Sequence, residues 1–145
     1  ADVIAICPMA PPGSLEKWQR PNVRFTRDLV NLPALMVQAD LFVGHGNAGT
    51  ARESLVAGIP VLVLPLQLEQ LLTGMRLQNF GVGRMLEGEP KAAAIAAAVR
   101  QMLQQGGEYR SAVRRLLANY ELPHLDMADQ VRAFCGACFG ENAAQ

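Results

Sequence analysis

A chain of 145 residues that is half hydrophobic and only 18% charged is long enough to bury a core, and it lacks the polar excess of a disordered segment. Lys plus Arg (13) equal Asp plus Glu (13), which removes any general attraction to nucleic acid or to an anionic membrane surface, so anion binding must be local. No apolar run approaches the ~20 residues of a membrane-spanning helix, and three cysteines are too few and odd in number for a disulfide scaffold, which points to a reducing, cytoplasmic setting.

The chain opens on ADVIAIC, almost inside a strand, which predicts that a portion lies upstream. Residues 3–7 read as a short buried strand bounded by Pro8. Residues 8–22 hold four of the nine prolines and read as a loop, with Trp18 expected as a cover over the sheet edge. Residues 23–25 give a second strand, and residues 29–38 a short helix with Pro33 in its first turn. The apolar run 41–43 is a third strand, entering a glycine-rich turn and a helix that starts near Ala48 or Gly49 and stops at Gly58. Residues 61–64 are a fourth strand closed by Pro65. A helix over 68–79 follows, with Leu68, Leu71, Leu72 and Met75 on one face and Gly81 as its stop. Residues 83–86 offer one more edge strand.

From Pro90, expected in a first helical turn, the pattern is helical throughout. Ile95, Val99, Met102 and Leu103 form one stripe, ended by Gly106 and Gly107, and Tyr109, Val113, Leu116, Leu117 and Tyr120 form the next. A last helix from about Asp126 aligns Met127, Val131, Phe134 and Cys138. Cys135 and Cys138 make a lone Cys-x-x-Cys pair at a helix end with no second pair, and they read as structural cysteines. Repeated strand, turn and helix units imply parallel strands with right-handed crossovers. The fold class is α/β: a Rossmann-like parallel sheet of about four to five strands with flanking helices and a helical C-terminal segment.

The turn between Gly44 and Thr50 carries the chemistry. Gly44, Gly46 and Gly49 let backbone N–H groups crowd around an anion, and the following helix aims its unpaired N–H groups and positive dipole end at the same place. That dipole is worth up to about 2 kcal/mol in good geometry. The glycines satisfy the G-x-G-x-x-G template, so NAD(P) binding is one reading. That reading needs an acidic residue after the next strand, where the sequence has Leu64, Pro65 and Leu66. A second reading uses His45 and Thr50 for a diphosphate, with Glu53, Glu69 and Gln70 for hydroxyls, as a nucleotide diphosphate joined to a sugar would require.

In His45, Gly49-Thr50, a Glu eight residues after the histidine (Glu53) and a Glu-Gln pair twenty-four and twenty-five after it (Glu69, Gln70), the stretch resembles the donor-binding signature of family 1 glycosyltransferases with the GT-B fold. The resemblance covers residues 22–90 most clearly. It implies that His45, Gly46, Asn47, Gly49 and Thr50 bind the donor diphosphate, Glu53 the ribose, and Glu69 with Gln70 the transferred sugar. Leu29 and Val30 would receive the base, with Leu29 at a position that the family fills with an aromatic ring. Asn47 stands where the family has a second glycine, and asparagine tolerates left-handed φ better than most residues.

The resemblance further implies a UDP- or dTDP-sugar as substrate, no metal or other cofactor, and His45 as electrostatic support for the leaving diphosphate. No residue of this chain is then the catalytic base; an N-terminal acceptor domain, in cis or as a separate chain, supplies it. Residues 1–145 would be a single donor-binding domain truncated at its N-terminus, inactive alone, and prone to homo-oligomerise or swap elements because a central strand is missing. A non-catalytic nucleotide-binding module that needs an acceptor-domain partner is the alternative.

Overall fold

The computed structural model describes residues 2–119 together with 131–132 and 134–136. Five parallel strands alternate with helices: β1 (Val3–Ile6), β2 (Val23–Thr26), α1 (Leu32–Met36), β3 (Phe42–Gly44), α2 (Ala48–Val56), β4 (Val61–Val63), α3 (Leu68–Asn79), β5 (Gly83–Met85), α4 (Ala92–Gln104) and α5 (Gly106–Ala118). They form two sheets rather than one continuous sheet. β1 pairs with β2, from Val3 opposite Val23 to Ile6 opposite Thr26. The other three run in the order β3-β4-β5, with Phe42 opposite Val61 and Val61 opposite Gly83.

β4 is the centre of the molecule. Val61, Leu62 and Val63 are all completely buried, as expected for a parallel strand covered on both faces. Alternation sends Val61 and Val63 to a cluster with Ala51 of α2, Leu77 of α3 and Val113 of α5, while Leu62 meets Ala98 and Met102 of α4. Two layers of helices therefore enclose one sheet, the α/β arrangement in which ligands collect at the carboxyl ends of the strands.

The two helices that flank β4 end alike. After α2, Gly58 has φ +82, its N–H bonds the Leu55 carbonyl, and the Ile59 N–H bonds the Ser54 carbonyl. After α3, Gly81 has φ +67, with Gly81 N–H on the Gln78 carbonyl and Val82 N–H on the Leu77 carbonyl. Both are Schellman closures that need the left-handed residue glycine provides. They turn the chain straight into the next strand.

Five expectations are corrected. β1 is not buried: Val3, Ile4 and Ile6 are exposed, and among the described residues it pairs with a strand on one side only. Trp18 covers no edge; it lies exposed in a single 3-10 turn with the Lys17 ammonium 5.3 Å from its ring centroid. The leucine stripe of α3 faces outward at Leu68, Leu72 and Met75. α3 instead buries Gln70, Gly74 and Leu77, because a bare Gly74 lets the helix lie flush on Val63 and Met85. Gly106 and Gly107 do not end a helix but begin α5, after a single turn residue, and Pro90 precedes the Lys91 N-cap of α4 rather than entering its first turn.

Other expectations are met. Pro33 stands in the first turn of α1, whose Asn31 side chain accepts the Ala34 N–H at 3.1 Å. Val113 of α5 and Met102 of α4 are buried, with Leu116, Leu117 and Val99 packed beside them. Tyr120, Met127 and Cys138 lie outside the described residues, and Cys135 is a half-buried free thiol. Among the described residues no helix is long and apolar enough to cross a membrane.

Candidate functional site

The β3–α2 turn and the β4–α3 turn open side by side at the carboxyl ends of paired strands, and hydrogen bonds join them. The His45 ring lies with Nδ1 3.0 Å from the Leu64 carbonyl oxygen. That oxygen can only accept, so Nδ1 carries the proton and Nε2 faces away with a lone pair in the neutral ring. An anion reaching Nε2 therefore meets a donor only when the ring gains its second proton. Gln70 of α3 donates from Nε2 to Asn47 Oδ1 at 3.0 Å, and its Oε1 accepts the Leu66 N–H at 2.8 Å. Gln70 is only 8% exposed, so these bonds form in a screened environment.

The turn is shaped by Gly46. Its φ is +90, and a Cβ there would sit 2.6 Å from Val63 Cγ1 and 3.1 Å from the Gln70 carbonyl oxygen. The left-handed position expected at Asn47 is thus taken by Gly46; Asn47 has φ −58 and ψ 128 and stands as the N-cap of α2. Its side chain caps no helix N–H, since Gln70 holds it instead. Among the described residues, the first N–H groups of α2 have no side-chain partner. Around Gly49, an added Cβ would meet open space.

Residues expected at the site divide into two groups. His45, Gly46, Asn47 and Gln70 are brought together by direct contacts, with Gly49 and Thr50 in the first turn of α2 beside them. Glu69 is exposed in the first turn of α3. Glu53 is half-buried farther along α2, where Arg52 Nη1 lies 2.8 Å from its Oε1. Leu29 is 98% exposed and Val30 half-buried, both in the loop after β2, with no bond to the turn. An open depression of about 610 Å³ lies at the ends of β1 and β2, lined by residues that include Pro8, Glu16, Phe25, Thr26, Arg27 and Asp28. Phe25, Arg27 and Asp28 line that depression, and Leu29 does not.

Sequence reasoning misses Leu64 and Leu66, which act through their backbone. The available signal is Pro65, which pushes Leu64 to an extended conformation and so presents its carbonyl at the strand end. Among the described residues, no group of three His, Cys, Asp or Glu side chains is placed to hold a metal ion.

Comparison with known proteins gives a consistent answer. The family model of the erythromycin biosynthesis protein CIII-like C-terminal domain matches residues 9–123. The chain is 34% identical over 97 residues to the PGL/p-HBAD biosynthesis glycosyltransferase of Mycobacterium tuberculosis, covering 66% of this chain and 22% of that protein. It is 33% identical over 103 residues to the oleandomycin glycosyltransferase of Streptomyces antibioticus, covering 71% and 24%. The chain therefore spans about a quarter of these relatives. Among solved structures, the calicheamicin glycosyltransferase CalG4 superposes with a TM-score of 0.75 at 25% identity, over 93% of this chain and 35% of CalG4. VinC, solved in complex with dTDP, superposes with a TM-score of 0.74 at 20% identity, over 92% and 33%. With parallel strands, enclosing helices and a glycine-rich turn between β3 and α2, the chain belongs to the erythromycin biosynthesis protein CIII-like C-terminal domain family, the C-terminal domain of family 1, GT-B fold glycosyltransferases.

Proposed function

We propose that this chain is the donor-binding half of a glycosyltransferase, holding a nucleotide-diphosphate sugar, a UDP- or dTDP-hexose, in the crevice between the β3–α2 and β4–α3 turns. The observation that carries the reading is the start of α2: unpartnered N–H groups and open space at Gly49, beside a His45 ring anchored by Leu64. That arrangement accepts a diphosphate closely. Gly46, Asn47, Gly49 and Thr50 line it, Glu53 takes the ribose hydroxyls, and Glu69 takes a hydroxyl of the sugar. The base lies against the loop of Leu29 and Val30.

In this reading an N-terminal acceptor domain, in cis or as a separate chain, supplies the base that removes a proton from an acceptor hydroxyl. The oxygen attacks the anomeric carbon as the bond to the diphosphate breaks. Negative charge grows on the departing diphosphate, so the fixed N–H groups of α2, with the His45 imidazole beside them, stabilise the transition state more than the ground state. Backbone donors and imidazole carry this charge without a metal. The setting is cytoplasmic, in keeping with the free thiols Cys7 and Cys135.

Calorimetry with dTDP, UDP and NAD tests the reading. Binding of dTDP or UDP at least tenfold tighter than NAD is expected; tighter NAD binding would overturn it in favour of a dinucleotide site.

A further inference from the structure

Gln70 is expected from the resemblance to hold the transferred sugar, and each end of its amide also makes one hydrogen bond within the protein. The Leu66 backbone N–H can only donate, so the Gln70 atom that meets it at 2.8 Å must be the carbonyl oxygen Oε1. The other end is then the NH2 group, and the Asn47 atom 3.0 Å away must be an acceptor, Oδ1. One backbone N–H thus orients two side-chain amides in succession. Asn47 is exposed at the N-cap of α2, and its Nδ2 makes no hydrogen bond among the described residues. Two N–H donors are left uncommitted at the start of the helix, next to Gly46 and Gly49.

We infer that Gln70 is a positioning residue: it clamps Asn47 with its oxygen inward, so that the Asn47 NH2 group becomes a side-chain donor to the diphosphate. The clamp also ties the β3–α2 turn to the β4–α3 turn across Leu66. Rotation of Asn47 would place a carbonyl oxygen against the anion, and the donation from Gln70 prevents it. This inference rests on the donor-site reading above.

Binding of dTDP and dTDP-glucose to the purified protein separates the possibilities. A residue that acts on the diphosphate affects both ligands equally, whereas a sugar ligand affects dTDP-glucose alone. Gln70→Ala and Asn47→Gly are each expected to weaken both ligands about tenfold, the scale of one hydrogen bond to a charged group. The double variant should be no weaker than either single one, since the two residues act as a unit. Asn47→Asp keeps an oxygen for Gln70 but turns a carboxylate toward the anion, and it should bind worse than Asn47→Gly. Because Gln70 is buried, Gln70→Glu provides a second variant of nearly the same shape. It still accepts from Leu66 and cannot donate to Asn47, so it too should weaken both ligands. Loss confined to dTDP-glucose in the Gln70 variants, or additive losses in the double variant, would overturn the inference while leaving the donor site intact. A wild-type protein that binds neither dTDP nor UDP would remove the donor site and this inference together.

Discussion

At the scale of single residues, the three glycines of the turn look equivalent in the sequence and prove unlike in the structure. Gly46 is demanded by the fold: positive φ and a collision with Val63 exclude any side chain. Gly49 is helical, has ordinary φ and faces open space, so nothing in the protein itself requires a glycine. A ligand that approaches the backbone closely would require it. Gly49→Ala should therefore fold as well as the parent or better, by up to about 1 kcal/mol from helix propensity. Its affinity for dTDP should fall at least tenfold. Thermal unfolding and calorimetry on the same preparation check both halves, and unchanged affinity would show that the helix start is not the diphosphate site.

At the scale of elements, β4 and its neighbours carry the stability. The β5 strand lies against β4 with so little clearance that a Cβ at Gly83 would come 2.5 Å from the Val61 carbonyl oxygen and 3.2 Å from Leu77 Cβ. A backbone carbonyl inside a fully buried strand cannot yield. Gly83→Ala is expected to lower stability by about 1–3 kcal/mol, the range for overpacking, seen as a lower urea midpoint with an unchanged slope. Strand positions were legible from sequence because apolar β-branched runs bounded by glycine or proline have few other readings. The buried face of α3 was not. Leu68, Leu72 and Met75 have the spacing of a core stripe, yet the helix is seated by Gly74, and closeness of approach outweighs the hydrophobicity of the stripe.

At the scale of the whole molecule, the two sheets present open edges. Among the described residues, β1 carries exposed Val3, Ile4 and Ile6 and pairs on one side with β2, and β3, with exposed Val43, pairs on one side with β4. In the doubly wound order of dinucleotide-binding sheets, the strands numbered 3-2 and 4-5-6 flank a central first strand. The observed pairs β2-β1 and β3-β4-β5 match those flanks. Unpaired parallel edges with apolar side chains favour association. We propose that the isolated chain self-associates through them, by pairing or by strand exchange. Light scattering should report a mass above that of one chain and rising with concentration; a constant monomer mass would contradict it.

What the sequence by itself determined is the order of elements and the location of the glycine-rich turn. Both follow from local chemistry: apolar runs, glycine spacing, and a histidine, a threonine and carboxylates at fixed offsets. Tertiary structure alone decided which of those residues meet. Asn47 and Gln70 are twenty-three positions apart and become partners because parallel pairing of β3 with β4 sets their two turns side by side. His45 finds Leu64 by the same register. Hydrogen-bond partners across a parallel pair depend on strand register and on how closely a helix seats, and neither is encoded in the spacing of one motif.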